Sequence, residues 1–174
     1  SEIYEIKGEF KKSIKFINKI ILNNTDDKKL FDLYKHISYL NLWANDNHHA
    51  TKALMKSLHH LKEINKISQT ELNIEYLDLS KHFIELKNYQ KAEELINKIK
   101  LELHDKNDFL FIQNFSLKKT QILIFYKEID QAKNLLINIL NEYETLILKT
   151  KNLRKIGKDN AIILNDLHLN FTNL

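Results

Sequence analysis

The stretch NDNHHATKALMKSLHH, residues 45–60, places two histidine pairs, His48–His49 and His59–His60, in a chain that contains no cysteine. Imidazole pairs are what a zinc site uses, so the spacing decides. On one helix the eleven residues between the pairs span about 16 Å, whereas the ligands of one zinc ion lie within about 4 Å of each other. Neighbouring histidines also diverge by about 100° around a helix axis, so each pair turns at most one ring toward any point. His59 and Glu63 form an i, i+4 pair, which supplies only two ligands. The pattern reads as a helix face in water, and neither a metal nor another cofactor is assigned.

Two further segments carry chemistry-capable side chains. ELHDKND, Glu102 to Asp108, groups carboxylates with His104, and capping and solvation of an inter-helix turn account for the same composition. LKTKNLRKIGK concentrates Lys149, Lys151, Arg154, Lys155 and Lys158. With one arginine and no interleaved aromatic rings, segment 149–158 offers phosphate contacts but little means of reading or stacking bases. A nucleic-acid partner is therefore disfavoured. No Ser-His-Asp ordering, H-E-x-x-H, phosphate loop or dinucleotide fingerprint occurs, and Gly8 and Gly157 alone cannot build most catalytic loops. The expectation is a protein that is not an enzyme.

The elements that would position these residues follow from composition. The 174 residues are 43% hydrophobic, with no proline and two glycines, so nothing interrupts long helices and the content suffices for a core. Every apolar stretch fits a period of 3.6 better than a period of 2, which predicts an all-α chain. The net charge of +4 rests on many lysines and the single Arg154, a bias that also follows from AT-rich codons. There is no leader-like segment and no long apolar run, so the expected location is cytoplasmic with no membrane contact.

Self-similarity organises the helices. In YLDLSKHFIELKNYQKAEELINKI, Tyr76 to Ile99, a helix, a polar turn at Lys87 and Asn88 and a second helix can be read around Ala92. Tyr89 lies three residues before Ala92, and Ile96 and Ile99 lie four and seven after it, on one face. Tyr76, Leu79, Ser80, Phe83 and Leu86 form the stripe of the first helix, with one small residue where a neighbour can approach. The frame recurs around Ala132, where Lys119 breaks it, around Ala50, where Asn41 and Asn47 break it, and around Ser13; the four anchors are 37, 42 and 40 residues apart. Helices are expected near 9–23, 27–44, 47–65, 69–86, 89–104, 108–127, 130–153 and 159–171, the last as a terminal cap. Ser68 and Glu71 form a potential capping box, and Asn88, Asp130 and Asp159 can each cap a following helix.

These residues resemble the tetratricopeptide repeat family over roughly residues 8–145. The resemblance implies an all-α solenoid of antiparallel helical hairpins with repeats of about 40 residues, filling 1–174 as a single helical-repeat domain. The spacing exceeds the family's unit, the closing proline is missing, and the turn glycine survives only as Gly8. Because little chain precedes Gly8, most of a first helix is missing before Ser13, and the expectation is a fragment of a longer protein.

In that family the first helices line a concave groove for an extended peptide or a partner helix. The matching offsets are Lys35, Tyr39, Leu42 and Trp43, then Ile74, Leu77, Lys81 and Ile84, then Asn114, Leu117, Gln121 and Phe125. The resemblance implies apolar pockets for side chains, with Asn114, Gln121 and the lysines bonding backbone or an acidic terminus. Trp43, the sole tryptophan, is the expected anchor. The competing expectation is that these apolar residues pack against the next repeat.

The implied function is peptide or protein binding. At fold level it is similar to the peptide-sensing repeat domains of Gram-positive quorum-sensing regulators. An assembly scaffold or chaperone-type adaptor is the alternative, and a nucleic-acid-associated helical repeat the third reading. The long final helices also offer a surface for a homodimer.

Overall fold

The computed structural model describes residues 2–103 and 109–149; the expected cap at 159–171, Asp159, His104 and most of the basic segment 149–158 lie outside the described residues. Among the described residues there are eight α-helices and no strand: α1 (Glu2–Ile6), α2 (Phe10–Ile21), α3 (Asp27–Trp43), α4 (Asn47–Glu63), α5 (Gln69–Glu85), α6 (Tyr89–Ile96), α7 (Phe109–Phe125) and α8 (Ile129–Lys149). The all-α expectation holds. The chain divides into two compact units, one ending at Ser68 and the other beginning at Gln69.

One turn geometry is used four times. Gly8, Asn45, Lys87 and Lys127 have φ of +69°, +58°, +58° and +63°. Each stands five residues before an anchor. Each ends its helix with the same two hydrogen bonds, one from its own N–H to the carbonyl three residues back and one from the next N–H to the carbonyl five back. For Asn45 these bonds are Asn45 N–H to Leu42 O, 2.9 Å, and Asp46 N–H to Asn41 O, 2.8 Å; for Lys87 they are Lys87 N–H to Ile84 O and Asn88 N–H to Phe83 O, both 2.8 Å. Gly8 and Lys127 repeat the pattern. The anchor's N–H then donates to the carbonyl four back and opens the next helix: Ser13 to Glu9, Ala50 to Asp46, Ala92 to Asn88, Ala132 to Glu128. All four anchors are fully buried, so each turn delivers a small residue to the point where two helices touch.

In the first unit α1 packs on α2, α2 on α3 and α3 on α4. Ile17, Ile37, Leu40 and Ala53 form its core, bordered by Phe10, Ile14, Ile21, Leu33 and Tyr34. Asp46 and Asn88 cap α4 and α6 by accepting from the N–H groups of His49 and Lys91, both at 3.2 Å, and Asp26 caps α3. In the second unit α5 packs on α6 and α7, α6 on α7, and α7 on α8, where Leu117, Leu136 and Ile139 are buried together. The small residue expected twelve before each anchor is present and fully buried as Ser38, Ser80 and Thr120, and Ser38 Oγ donates to the carbonyl of Ala50 itself at 2.9 Å.

Three expectations are corrected. Residues 2–6 form α1, placing a short helical turn before Gly8. α6 stops at Ile96 instead of continuing to 104, with a 3-10 turn at Leu101–Leu103. The cause is Asn73 on α5, whose amide donates to Lys100 O at 2.9 Å and accepts from Lys100 N–H at 3.2 Å, drawing the chain out of helical register. Asp130 is one residue inside α8, in its first turn rather than at its cap, because the turn at Lys127 starts that helix at Ile129.

A lysine at positive φ costs about 1 kcal/mol relative to glycine. Lys127→Gly is therefore expected to raise the thermal midpoint by about 2–4 °C. An unchanged or lower midpoint by circular dichroism would show that the turn carries no strain.

Candidate functional site

The histidine pairs are held by nearby carboxylates. His49 Nδ1 lies 2.8 Å from Asp46 Oδ2 at the start of α4, and His60 Nδ1 lies 2.8 Å from Asp27 Oδ1 with its ring stacked on Tyr34. Within each pair the rings meet edge to face, and no group of three or more histidine, aspartate or glutamate side chains is disposed to hold a metal among the described residues. The hydrogen bond with the His49 ring, followed by that from the His49 N–H, holds the Asp46 carboxyl below its ordinary value of 3.8.

The residues expected to line a binding face fall into three environments. In the first unit Lys35 is partly buried with its ammonium 4.7 Å above the Phe31 ring, so its charge is used internally. Leu42 and Tyr39 are partly buried, while Trp43 is 55% exposed and touches both Tyr39, at 6.3 Å between centroids, and Phe10 on α2, at 6.0 Å. In the second unit Ile74 is 50% exposed, Lys81 is exposed, and Leu77 and Ile84 are partly buried along α5. Asn114 donates back to Leu110 O, and the Gln121 amide oxygen is buried without a hydrogen-bond partner among the described residues. Leu117 is not on a surface. It is fully buried against Leu136 and Ile139, because α8 covers that side of α7.

Phe125, 53% exposed, ends α7 and stacks on Tyr89 of α6 with centroids 4.0 Å apart and planes within 13°. Trp43 and Phe125 each stand seven residues before their anchors, and their partners Phe10 and Tyr89 each stand three before the preceding anchor. The two units thus bring rings together at the same pair of offsets, tilted by 50° in the first and stacked in the second. A cleft at the turn edge has Phe10 on its wall in the first unit and both Tyr89 and Phe125 in the second. The one in the first unit is about 350 Å³, with Gly8, Phe10, Lys12 and Ala44 on its walls. The one in the second unit is about 970 Å³, with Tyr89, Glu93, Phe125, Tyr126 and Glu128 on its walls. Sequence reasoning missed Tyr126, Glu93 and Glu128. The available signal was that Tyr126 follows an aromatic at a turn, and that Glu93 is one residue past a buried anchor.

Burial on the first helices recurs at two positions outside the expected stripe. Nineteen before each anchor stand Phe31, Asn73 and Gln113, and ten before stand Leu40, His82 and Ile122, all buried. His82 therefore occupies a core position filled elsewhere by leucine and isoleucine.

Two predictions separate these environments. Leu117→Ala is expected to cost about 2–5 kcal/mol in denaturant unfolding, and Ile74→Ala less than about 0.5 kcal/mol. Equal costs would contradict the assignment of Leu117 to the core and Ile74 to the surface. A carboxyl whose value folding lowers contributes stability above its unfolded value, and loses it as pH falls through the folded one. Asp46→Asn is thus expected to flatten the acid dependence of the thermal midpoint as pH falls through and below the ordinary carboxylate value of 3.8, and an unaltered slope would remove the Asp46–His49 pair from that dependence. The chain matches no family model, no curated protein and no solved structure.

Proposed function

We propose that the chain is an α-solenoid of tetratricopeptide-like hairpins that binds a peptide or protein segment through its first helices and performs no chemistry of its own. The recurrence of turn, buried anchor and small residue in register supports the repeat reading, since each is set by a different local interaction. The observation that carries the binding reading is the pair of half-exposed aromatic residues at one offset, Trp43 and Phe125, with the exposed Ile74 on α5. Isolated exposed apolar residues are ordinary. Large rings at equivalent positions, each already fixed on one side by another ring, lose little side-chain freedom on binding and are the type that anchors interfaces.

On this reading the ligand is an extended peptide or partner helix whose apolar side chains meet Trp43 in the first unit, or Ile74, Leu77 and Ile84 in the second. The specific role that fits is the peptide-sensing regulatory domain of a bacterial transcription regulator. No helix among the described residues is long and apolar enough to cross a membrane.

The experiment is selection of displayed twelve-residue peptides on the full chain, followed by titration of an enriched peptide with Trp43 fluorescence as readout. Binding is expected to shift the emission and to weaken by about 30-fold in Trp43→Ala or Ile74→Asp, with little dependence on salt. Affinity indifferent to both substitutions would rule out Trp43 and Ile74 as peptide contacts. Loss of all binding on raising salt would favour an electrostatic partner such as nucleic acid.

A further inference from the structure

Among the described residues lysine ammonium groups stand over aromatic rings of the same chain: Lys12 over Tyr4 at 5.9 Å, Lys35 over Phe31 at 4.7 Å, Lys56 over Tyr34 at 5.1 Å and Lys98 over Tyr76 at 5.8 Å. The turn-edge cleft of the second unit is built from the same materials without the cation. Tyr89 and Phe125 are stacked, and Tyr126 meets Phe125 at 66° with centroids 5.2 Å apart, so two ring planes form a corner. Glu93 and Glu128 stand beside them. Among the described residues no lysine lies over these three rings, and neither carboxylate has a basic partner; Glu93 is hydrogen-bonded by the Tyr126 hydroxyl and Glu128 by Gln131, at 2.7 Å. Lys91, the nearest basic residue on α6 in sequence, is committed to Glu94. One lysine, Lys87, lines the cleft against the two glutamates.

We propose that this cleft is a receptor for a cationic side chain, specifically an arginine of a protein partner. A guanidinium is planar and weakly hydrated, so it stacks on a ring face while its donors reach carboxylates at the ring edge, a combination that an ammonium meets less well. Charge complementarity selects the occupant. The rings attract a cation through their faces, the carboxylates supply the opposing charge, and an acidic residue would face two glutamates against the single Lys87. The first-unit cleft is different: Ala44 stands where Tyr126 does, and Lys12 pairs with Glu9 at 3.0 Å. The two clefts therefore share an architecture but only the second is left to take a cation from elsewhere.

This inference rests on the peptide-binding reading for the source of the arginine and shares Phe125 with it, yet it is read at Glu93 and Lys87 and not at Trp43 or Ile74, so the two can fail separately. The test is titration of the isotope-labelled full chain with a glycine pentapeptide carrying one central arginine, followed by amide chemical shifts, beside lysine and glutamate versions. Shifts are expected at residues 87–93 and 125–128, to diminish in high salt, to be smaller with lysine and absent with glutamate. Glu93→Gln is expected to weaken binding about fivefold and Phe125→Ala about threefold, while Lys87→Glu tightens it about threefold. Thermal midpoints of the variants establish that they are folded. Trp43→Ala should leave this titration unchanged. Equal shifts with the glutamate peptide, shifts elsewhere only, or indifference to both Glu93→Gln and Lys87→Glu would overturn the proposal.

Discussion

Everything in this chain depends on a residue held at positive φ five positions before a fully buried small one. The left-handed residue ends one helix by satisfying its last carbonyls, and the next N–H groups open the following helix within two residues. The interval leaves no freedom in where the second helix starts. Its first inward residue must therefore be the anchor, and only Ala or Ser fits where the two backbones approach most closely. Three of the four turns achieve this without glycine; Asn45 tolerates the left-handed region, whereas at Lys87 and Lys127 the helices on either side hold the geometry against local preference.

The same constraint propagates from hairpin to hairpin within each unit. Once the turns are fixed, the residue seven before one anchor and the residue three before the previous one come to the same edge. That is why Phe10 meets Trp43 and Tyr89 meets Phe125. The rings are half exposed because the edge is a boundary, and the clefts beside them follow from the change of direction at each turn. Their chemistry is then free to differ. Ala44 and Ile14 in one unit stand where Tyr126 and Glu93 stand in the other, on turns of the same geometry.

Much of the fold was legible because the interactions that define it are local. The polar turn at Lys87 and Asn88, the cap at Asn88, the four anchors and the small residue Ser80 are each marked by residue types close together in sequence. What sequence did not disclose depends on distant partners. Leu117 is indistinguishable by period from Leu77, yet α8 buries the one while the other stays partly exposed. α6 has the composition to continue, yet beyond its end the chain is held at Lys100 by a side chain 27 positions upstream, Asn73. Lys118, a charged residue, is buried while Lys119, read as a break in the pattern, is exposed. The candidate surface was readable at Trp43, Ile74 and Phe125, where large apolar residues fall off the core stripe. The cleft walls Glu93, Tyr126 and Glu128 were not, since they come together only when two turns are brought side by side.

The position nineteen before each anchor explains how degenerate repeats keep one register. A hairpin fixed only at its turn could still splay or slip at its open end, because the apolar stripes are similar at neighbouring turns of helix. In each of three hairpins that end is tied by a polar bond. Ser57 Oγ donates to Phe31 O at 3.0 Å, Asn73 clamps both polar groups of Lys100, and Gln113 donates to Glu142. Phe31, Asn73 and Gln113 share the same offset, although the groups that bond differ in each case. Phe31, Asn73 and Gln113 are buried, and a hydrogen bond at a buried residue is directional and costly to leave unmade. A slip by one residue would strand a buried amide or carbonyl, whereas an apolar contact would tolerate it. The left-handed turn at one end and the polar latch at the other thus specify the pairing of each helix with its partner, and the sequence between them is left free to diverge as far as Asn41 and His82 have.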